Sequence, residues 1–554
     1  MKELFRPLLD ISKSPWFGFA NGILLFILLN GLFSYAPCKL DLSRSGRFQI
    51  TNSTKNVLKE LNEPLFIDAF YSSEIPGEYK TRLELTKELL KEISKIGKEN
   101  VHLRFYDPSS SEEDSRKALE MGIEPQILQK TSRDSASVKQ AFMGIVLTLG
   151  HKTEVLSLAF FTEDLEYQIL SSIRKMEKQD QDSGIVLLKS EANLNFQEQG
   201  SPKDRVEIFA RRILRGEYGP ILELDLERDP IPPGTEIIIW IGASPLSTSA
   251  VKRLDQFLMN GGSLILLAKT MEFKTNTERG SFGIMPNDLG AGLAQKNPDS
   301  EEMVRILEHY GIRINSDIVF DPDYSLPMGS VIEIEPGVLG KYPYPPWIVS
   351  EQKITTLDPE SPFTKNQESL VLPWSSSILF LPEKQKNASF TSLIRSGPEA
   401  ESRTEPVSLG EKQILSVPIH ANGGPFHLGV YAEGKFTSYF SEVKTQDPDF
   451  LLETKPGKKT KFLVLGSPYI VSDLLAFPEF SEILKNANIP FLLNAIDILR
   501  GETDLLEVRS KGSAVLKMKS LPFYIETAIS LFHLFLIPLL VGIYAFRRLK
   551  KRNS

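Results

Sequence analysis

Residues 231–269 read IPPGTEIIIWIGASPLSTSAVKRLDQFLMNGGSLILLAK. Within this stretch EIIIWIGAS is a continuous apolar run, the pattern of a strand buried on both faces of a parallel sheet. Ser247 or Thr248 caps the helix TSAVKRLDQFLMN, and Gly261-Gly262 ends it. SLILLAK is then a second buried strand, and the proline-rich 230–234 turns the chain into the first. Parallel neighbours need a crossover of this kind, because no tight turn can join them.

The same alternation continues on either side. Upstream lie the strand GIVLLKS from Gly184, the helix SPKDRVEIFARRILRG and the strand ILELDLE. Downstream, EEMVRILEHYGI is helical and leads into DIVFDPDY. Residues 325–455 change character, with Pro, Ser and short strand-like runs such as YPYPPW at 342–347. The sheet pattern returns in KFLVLGSPYIV at 461–471, with the helix NIPFLLNAIDILRG behind it. The expected fold is therefore a doubly wound α/β domain in two pieces, 181–324 and 456–501, around a β-rich insertion at 325–455.

A separate α/β block is expected over 37–180. STKNVLKEL has helical spacing with Ser53 as its N-cap. LFIDAFYS, an amphipathic helix with Leu83, Leu85, Leu89, Leu90, Ile93 and Ile96 on one side, and VHLRFYD make a strand–helix–strand unit. AFMGIVLTLG and KTEVLSLA form a hairpin at Gly150-His151-Lys152, and EDLEYQILSSIRKM closes the block. The order resembles a thioredoxin-like arrangement without the redox cysteines, since Cys38 is the sole cysteine in the chain.

The two ends are the most apolar segments. Residues 16–36, WFGFANGILLFILLNGLFSYA, carry no charge over about 20 residues, enough to span a bilayer core. Lys2, Arg6 and Lys13 precede them, and residues 1–15 are expected in the cytoplasm. A second span is expected over 522–546, after a linker at 502–521. The basic tail 547–554, with Arg547, Arg548, Lys550, Lys551 and Arg552, is again cytoplasmic. Cleavage of the first span as a signal peptide, and a lipoprotein signal at Cys38, are the competing readings there. Glu526 and His533 are seven residues apart and share one face of the second helix. Polar groups in lipid usually face a partner, so this pair marks an expected helix–helix contact.

Known chemistry is sparse. The net charge of -7 and the lack of basic–aromatic clusters argue against nucleic acid. There is no GxxxxGK[ST] loop for ATP, as Gly457-Lys458-Lys459-Thr460 lacks the earlier glycine. The histidines form no HExxH, and no metal or cofactor is expected. Asp317, Asp321 and Asp323 lack EF-hand spacing and read as a turn. Ligands of open α/β sheets bind beyond the carboxyl ends of the strands. Ser244, in Gly242-Ala243-Ser244, and Ser467, in Gly466-Ser467-Pro468, occupy such ends and are the expected ligand loops. Tyr342, Tyr344 and Trp347 are either a binding platform or internal packing.

Taken together, several stretches resemble the gliding-motility-type ABC transporter auxiliary component, the GldG family of two-span membrane proteins. They are LSRSGRFQITNSTKNVLKELNEPLFIDAFYS with VHLRFYDP, TEDLEYQILSSIRKM, the opening stretch 231–269, LEHYGIRINSDIVFD, KFLVLGSPYIV, NAIDILRG and the final helix with RRLKKR. The resemblance implies a non-ATPase subunit in the bacterial cytoplasmic membrane, beside an ABC permease and a separate cytoplasmic ATPase. It implies a bulk that is extracytoplasmic, and a middle domain similar to the glutamine-amidotransferase fold. Cys38 lies outside that domain, so a cysteine amidotransferase is not implied. Two other readings remain open: a membrane-anchored, hydrolase-like ectoenzyme, and a structural cell-envelope protein.

Overall fold

The computed structural model describes residues 50–513, apart from 133–134, 161, 179–181, 198–199, 274–292, 336–337, 355, 366, 405, 411–413, 415–417, 443–449 and 479. Among the described residues no helix is long and apolar enough to cross a membrane. Both expected spans, with Glu526 and His533, lie outside them.

The chain enters through α1 (Asn52–Glu60), capped by Thr51, whose hydroxyl accepts from the Thr54 amide. Ser53, the expected cap, instead sits inside the first turn and donates to Glu507 at 3.1 Å. Next come β1 (Leu65–Tyr71), α2 (Gly77–Gly97), β2 (Val101–Tyr106), α3 (Glu112–Glu120), a hairpin of β3 (Gln126–Ser132) and β4 (Ser135–Ala141), then β5 (Met143–Leu149), β6 (Lys152–Leu156) and α4 (Thr162–Lys178). The sheet order is β2-β1-β5-β6, with β1 parallel to β2 and antiparallel to β5. Leu65, Ile67 and Ala69 of β1 pack with Leu90 and Ile93 of α2 and Leu165 and Ile169 of α4 in one apolar cluster. The helices therefore cover one face of this sheet, as the two-residue side-chain period of the strand requires.

The larger sheet begins at β7 (Ile185–Leu188). A π-helical turn over Ile208–Ile213 runs into α5 (Leu214–Tyr218), so the helix expected over 201–216 is shorter and irregular. Then follow β8 (Leu222–Leu224), β9 (Ile237–Gly242), α6 (Thr248–Met259), β10 (Ser263–Ala268) and α7 (Glu301–His309). Ser247 caps α6 by accepting from the Ala250 amide. After that come β11 (Ile312–Ile314), β12 (Ile378–Phe380), β13 (Ala388–Arg395), β14 (His427–Gly434), β15 (Thr460–Leu465), α8 (Ile489–Arg500) and α9 (Asp504–Ser513).

Strand order is β11-β12-β14-β15-β10-β9-β7-β8, with β13 on β14. From β8 to β15 every pairing is parallel. The parallel strands alone read second, first, third, fourth, fifth, so the direction of winding reverses between β7 and β9. Each face is covered. Ile237, Ile239 and Ile265 pack with Phe209, Leu214 and α8, while Ile238, Trp240, Leu264 and Leu266 pack with α6 and α7. β11 to β14 extend this same sheet by antiparallel pairings, and of these β14 alone pairs with β15.

The last described helix is held by a buried charge. α8 is apolar almost all round, and its Asn494 and Asp497 are buried at i, i+3 on one side. Arg509 of α9 meets them: Nη1 donates to Asn494 Oδ1 at 2.6 Å and to Asp497 Oδ2 at 2.9 Å. Nη2 donates to Glu217 at 3.1 Å, and Nε to the Tyr167 hydroxyl at 3.3 Å. Tyr167 also donates to Glu217, and Tyr218 donates to Asp497 at 2.7 Å. Leu505 and Val508, meanwhile, join the apolar cluster of the first sheet. α9 is thus fastened to both sheets at once. Lys178–Glu502 and Arg174–Asp504 pairs add to the seam.

Candidate functional site at the strand-order reversal

Where winding reverses, the loops from adjacent strand ends diverge and leave a crevice. Here one chain segment crosses it. After β7 the backbone runs over the end of β9, and the Leu194 amide donates to Ile241 O at 3.1 Å. Asn193 ties the crossing together. Its Nδ2 donates to Leu188 O at 2.7 Å, and its Oδ1 accepts from Trp240 Nε1 and Ser244 Oγ, both at 3.1 Å. Gly242 has φ 127, and a Cβ there would stand 2.8 Å from Asn193 Cα. Only glycine allows both that backbone and that approach.

Beyond the crossing lies a cavity of about 360 Å³, lined among others by Glu191, Asn195, Asp204, Lys269, Glu272 and Asp299. Lys269 is the residue after β10. Its amide donates to Gly242 O at 3.0 Å and its carbonyl accepts from Asn297 Nδ2 at 3.0 Å, so its backbone is pinned. Its side chain is only 10% exposed, and Nζ stands 3.8 Å from both Asp204 Oδ1 and Glu272 Oε1. Those distances allow ion pairing but exceed a hydrogen bond.

Behind this floor, Lys203 is 1% exposed and its ammonium donates to Asp204 Oδ1 at 2.5 Å. It lies 4.7 Å from the Phe273 ring centroid and 5.1 Å from that of Tyr469. Burial lowers the Lys203 pKa, and the charge of Asp204 opposes the shift. Burial also pushes the Tyr469 phenol well up, with Asp204 and Glu272 adding to the effect. The Tyr469 hydroxyl has no hydrogen-bond partner among the described residues.

The end of β15 is plugged. Trp374, Ser375, Ser376 and Ser377 lie over it, with the Ser376 amide donating to Gly466 O at 2.8 Å. Ser376 Oγ donates to Asp317 O at 2.7 Å and also bonds Thr270 Oγ1 at 2.7 Å. Trp374 holds φ 48, unusual for a bulky residue. Its ring packs against Trp347 and Tyr469.

Ser244 and Ser467 therefore stand at strand ends, as expected, but facing protein. Ser244 is 1% exposed and donates to Asn193. Ser467 is fully buried, donates to Pro373 O at 2.5 Å and caps a short 3-10 turn through the Tyr469 amide. Neither has a base among these partners, and the plug covers Ser467. Tyr344 and Trp347 are buried, which makes them packing rather than a platform. Asp321 accepts from the Asp323 and Tyr324 amides and closes the expected turn. Lys269 and Asn193 carried no sequence signal beyond their proximity to strand ends, and Lys203 and Asp204, at the start of the expected helix, carried none.

Residues 185–495, more than half of the chain, match the family model of an ABC-type uncharacterized transport system. The chain belongs to this ABC-transport auxiliary family. Residues 44–148 match a domain of unknown function. An uncharacterized protein of Borreliella burgdorferi is 22% identical over 449 residues, covering 79% of this chain and 78% of that one. Two solved structures are similar over 57% of the chain. The mmIFT52 N-terminal domain is 14% identical, with 96% of it covered and a TM-score of 0.30. A ThuA-like protein from Bacteroides uniformis is 15% identical, with 89% covered and a TM-score of 0.28. For this ABC-transport auxiliary protein, both the matched region and the reversal-point cavity lie in the larger sheet.

Proposed function

We propose that this protein is the non-ATPase subunit of its transport system. In this reading 16–36 and 522–546 anchor it in the bacterial cytoplasmic membrane, and its folded body lies outside. It works beside a multi-span permease and a separate cytoplasmic ATPase. Family membership supports the transport role. The observation that carries the mechanical part is Arg509. α9 is the last described helix before the second apolar segment, and buried bonds lock it to both sheets. A force that reaches α9 would be passed to both sheets of the body.

The test is affinity purification of the tagged full-length chain from membranes of its own organism, followed by mass spectrometry. Recovery of one ABC permease and one ABC ATPase in constant ratio is expected. A chain that purifies alone under mild detergent, at native expression, overturns the proposal. Exchanging 522–546 for an unrelated apolar helix should lose those partners. If the partners remain after both segments are exchanged, the contact lies in the body.

A further inference from the structure

We propose that the cavity at the strand-order reversal binds a small zwitterion, an amino acid or short peptide, through Lys269 and the carboxylates around it. Lys269 is nine-tenths buried, its backbone is fixed from both sides, and its ammonium opens onto the cavity without a hydrogen bond. The ammonium tip faces the cavity and holds only two long ion pairs, which leaves its N–H donors to an incoming acceptor. Asp204 and Glu272 are too far to supply one, and Asp204 is already engaged by Lys203.

The surroundings restrict which acceptor can enter. Glu191, Asp204, Glu272 and Asp299 bring four negative charges, against two positive charges from Lys269 and Lys203. A phosphate or other dianion would be repelled by that excess. A single carboxylate can approach Lys269 only if its own molecule carries compensating positive charge. An α-ammonium provides that charge, and Glu191, Glu272 and Asp299 offer it acceptors. The cavity volume of about 360 Å³ is at the small end for ligand pockets, which suits one or two amino-acid residues. This inference concerns binding by the body and does not depend on the proposed permease partner.

Isothermal titration of the purified full-length chain in detergent decides it. The probes are the twenty common amino acids, L-alanyl-L-alanine, its N-acetyl and C-amide derivatives, and glucose. At least one free zwitterion should bind. Acetylating the amine or amidating the carboxylate of whichever binds should weaken it tenfold or more. Lys269→Met should weaken the free zwitterion to the level of its amide, while leaving the amide unchanged. That double readout separates lost charge pairing from misfolding. The proposal is overturned if no zwitterion in the panel binds, if capped forms bind as well as free ones, or if glucose binds more tightly than any zwitterion.

Discussion

Replacing Arg509 by Ala should release α9 from the body. The guanidinium is 5% exposed, and its partner Asp497 is 1% exposed and Glu217 13%. Removing it leaves Asp497 and Glu217 facing each other with no cation between them, and Asn494 without its donor. Burial already raises the Asp497 pKa against the pull of Arg509, so removing Arg509 takes away a charge that favours its carboxylate. Breaking a buried ion pair from one side costs about 3–5 kcal/mol. Native-state hydrogen exchange reads this locally, which suits a chain too large for one two-state transition. At about 1.36 kcal/mol per decade, protection across 504–513 should fall roughly 10²·²- to 10³·⁷-fold. Protection in β9 and β10 should change far less. Arg509→Lys should recover only part of the loss, since one ammonium cannot reproduce the forked contacts to Asp497, Asn494 and Glu217. If Arg509→Ala leaves 504–513 within threefold of wild type, α9 is held by Leu505, Val508 and its Asp504 and Glu507 contacts without Arg509, and the coupling argument fails.

Three further outcomes follow from the geometry. Gly466→Ala would place Cβ 2.0 Å from Ser376 O, so the plug must shift; a loss of about 2–3 kcal/mol or more is expected in the local stability of β15 by native-state hydrogen exchange. Asn193→Ala strands Trp240 Nε1 and Leu188 O, and should cost β7 and β9 about 2–4 kcal/mol by the same assay; unchanged protection would mean that water takes its place. Glu308 is held down to about 2 by Arg313 and Lys384. Because its folded pKa is lowered from 4.5, the pairing stabilises above that value and is lost as pH falls toward about 2. The melting-temperature gap between wild type and Glu308→Gln should therefore close over that window; a gap that widens on acidification contradicts the pairing.

Strands with strong local signals were legible in the sequence. β9 and β10 are uninterrupted apolar runs, Ser247 caps α6, and Gly150, at φ 58, turns β5 into β6. Weakly patterned elements were not. β3 and β4, with a largely polar sequence, and α3, with a single buried residue, lack the periodicity that betrays burial. The cap at Thr51 in place of Ser53 is a two-residue shift that local propensity cannot separate. Residues 325–455 looked like an insertion because the membership of β12, β13 and β14 in the larger sheet, through β14 on β15, leaves no local pattern. The cavity was hidden for the same reason. Strand ends can be read from sequence, but which two flank the reversal depends on sheet order. Attention therefore fell on Ser244 and Ser467, whereas the ends that open are those of β7 and β10.

β15 completes the parallel sheet from a distance. Its Lys461 pairs with Ser263, and Thr460, where β15 starts, follows Ala268, the end of β10, by 460 − 268 = 192 residues. At about 5–20 residues per second, a ribosome needs roughly 10–40 s to make that stretch. Throughout that time Leu264, Ile265, Leu266 and Leu267 have no partner on one side. Such an edge, apolar on both faces, is the kind that pairs with a neighbouring nascent chain. The newborn protein therefore needs its edge shielded for a time set by the length of the intervening chain, and shortening that chain should raise the yield of folded molecules.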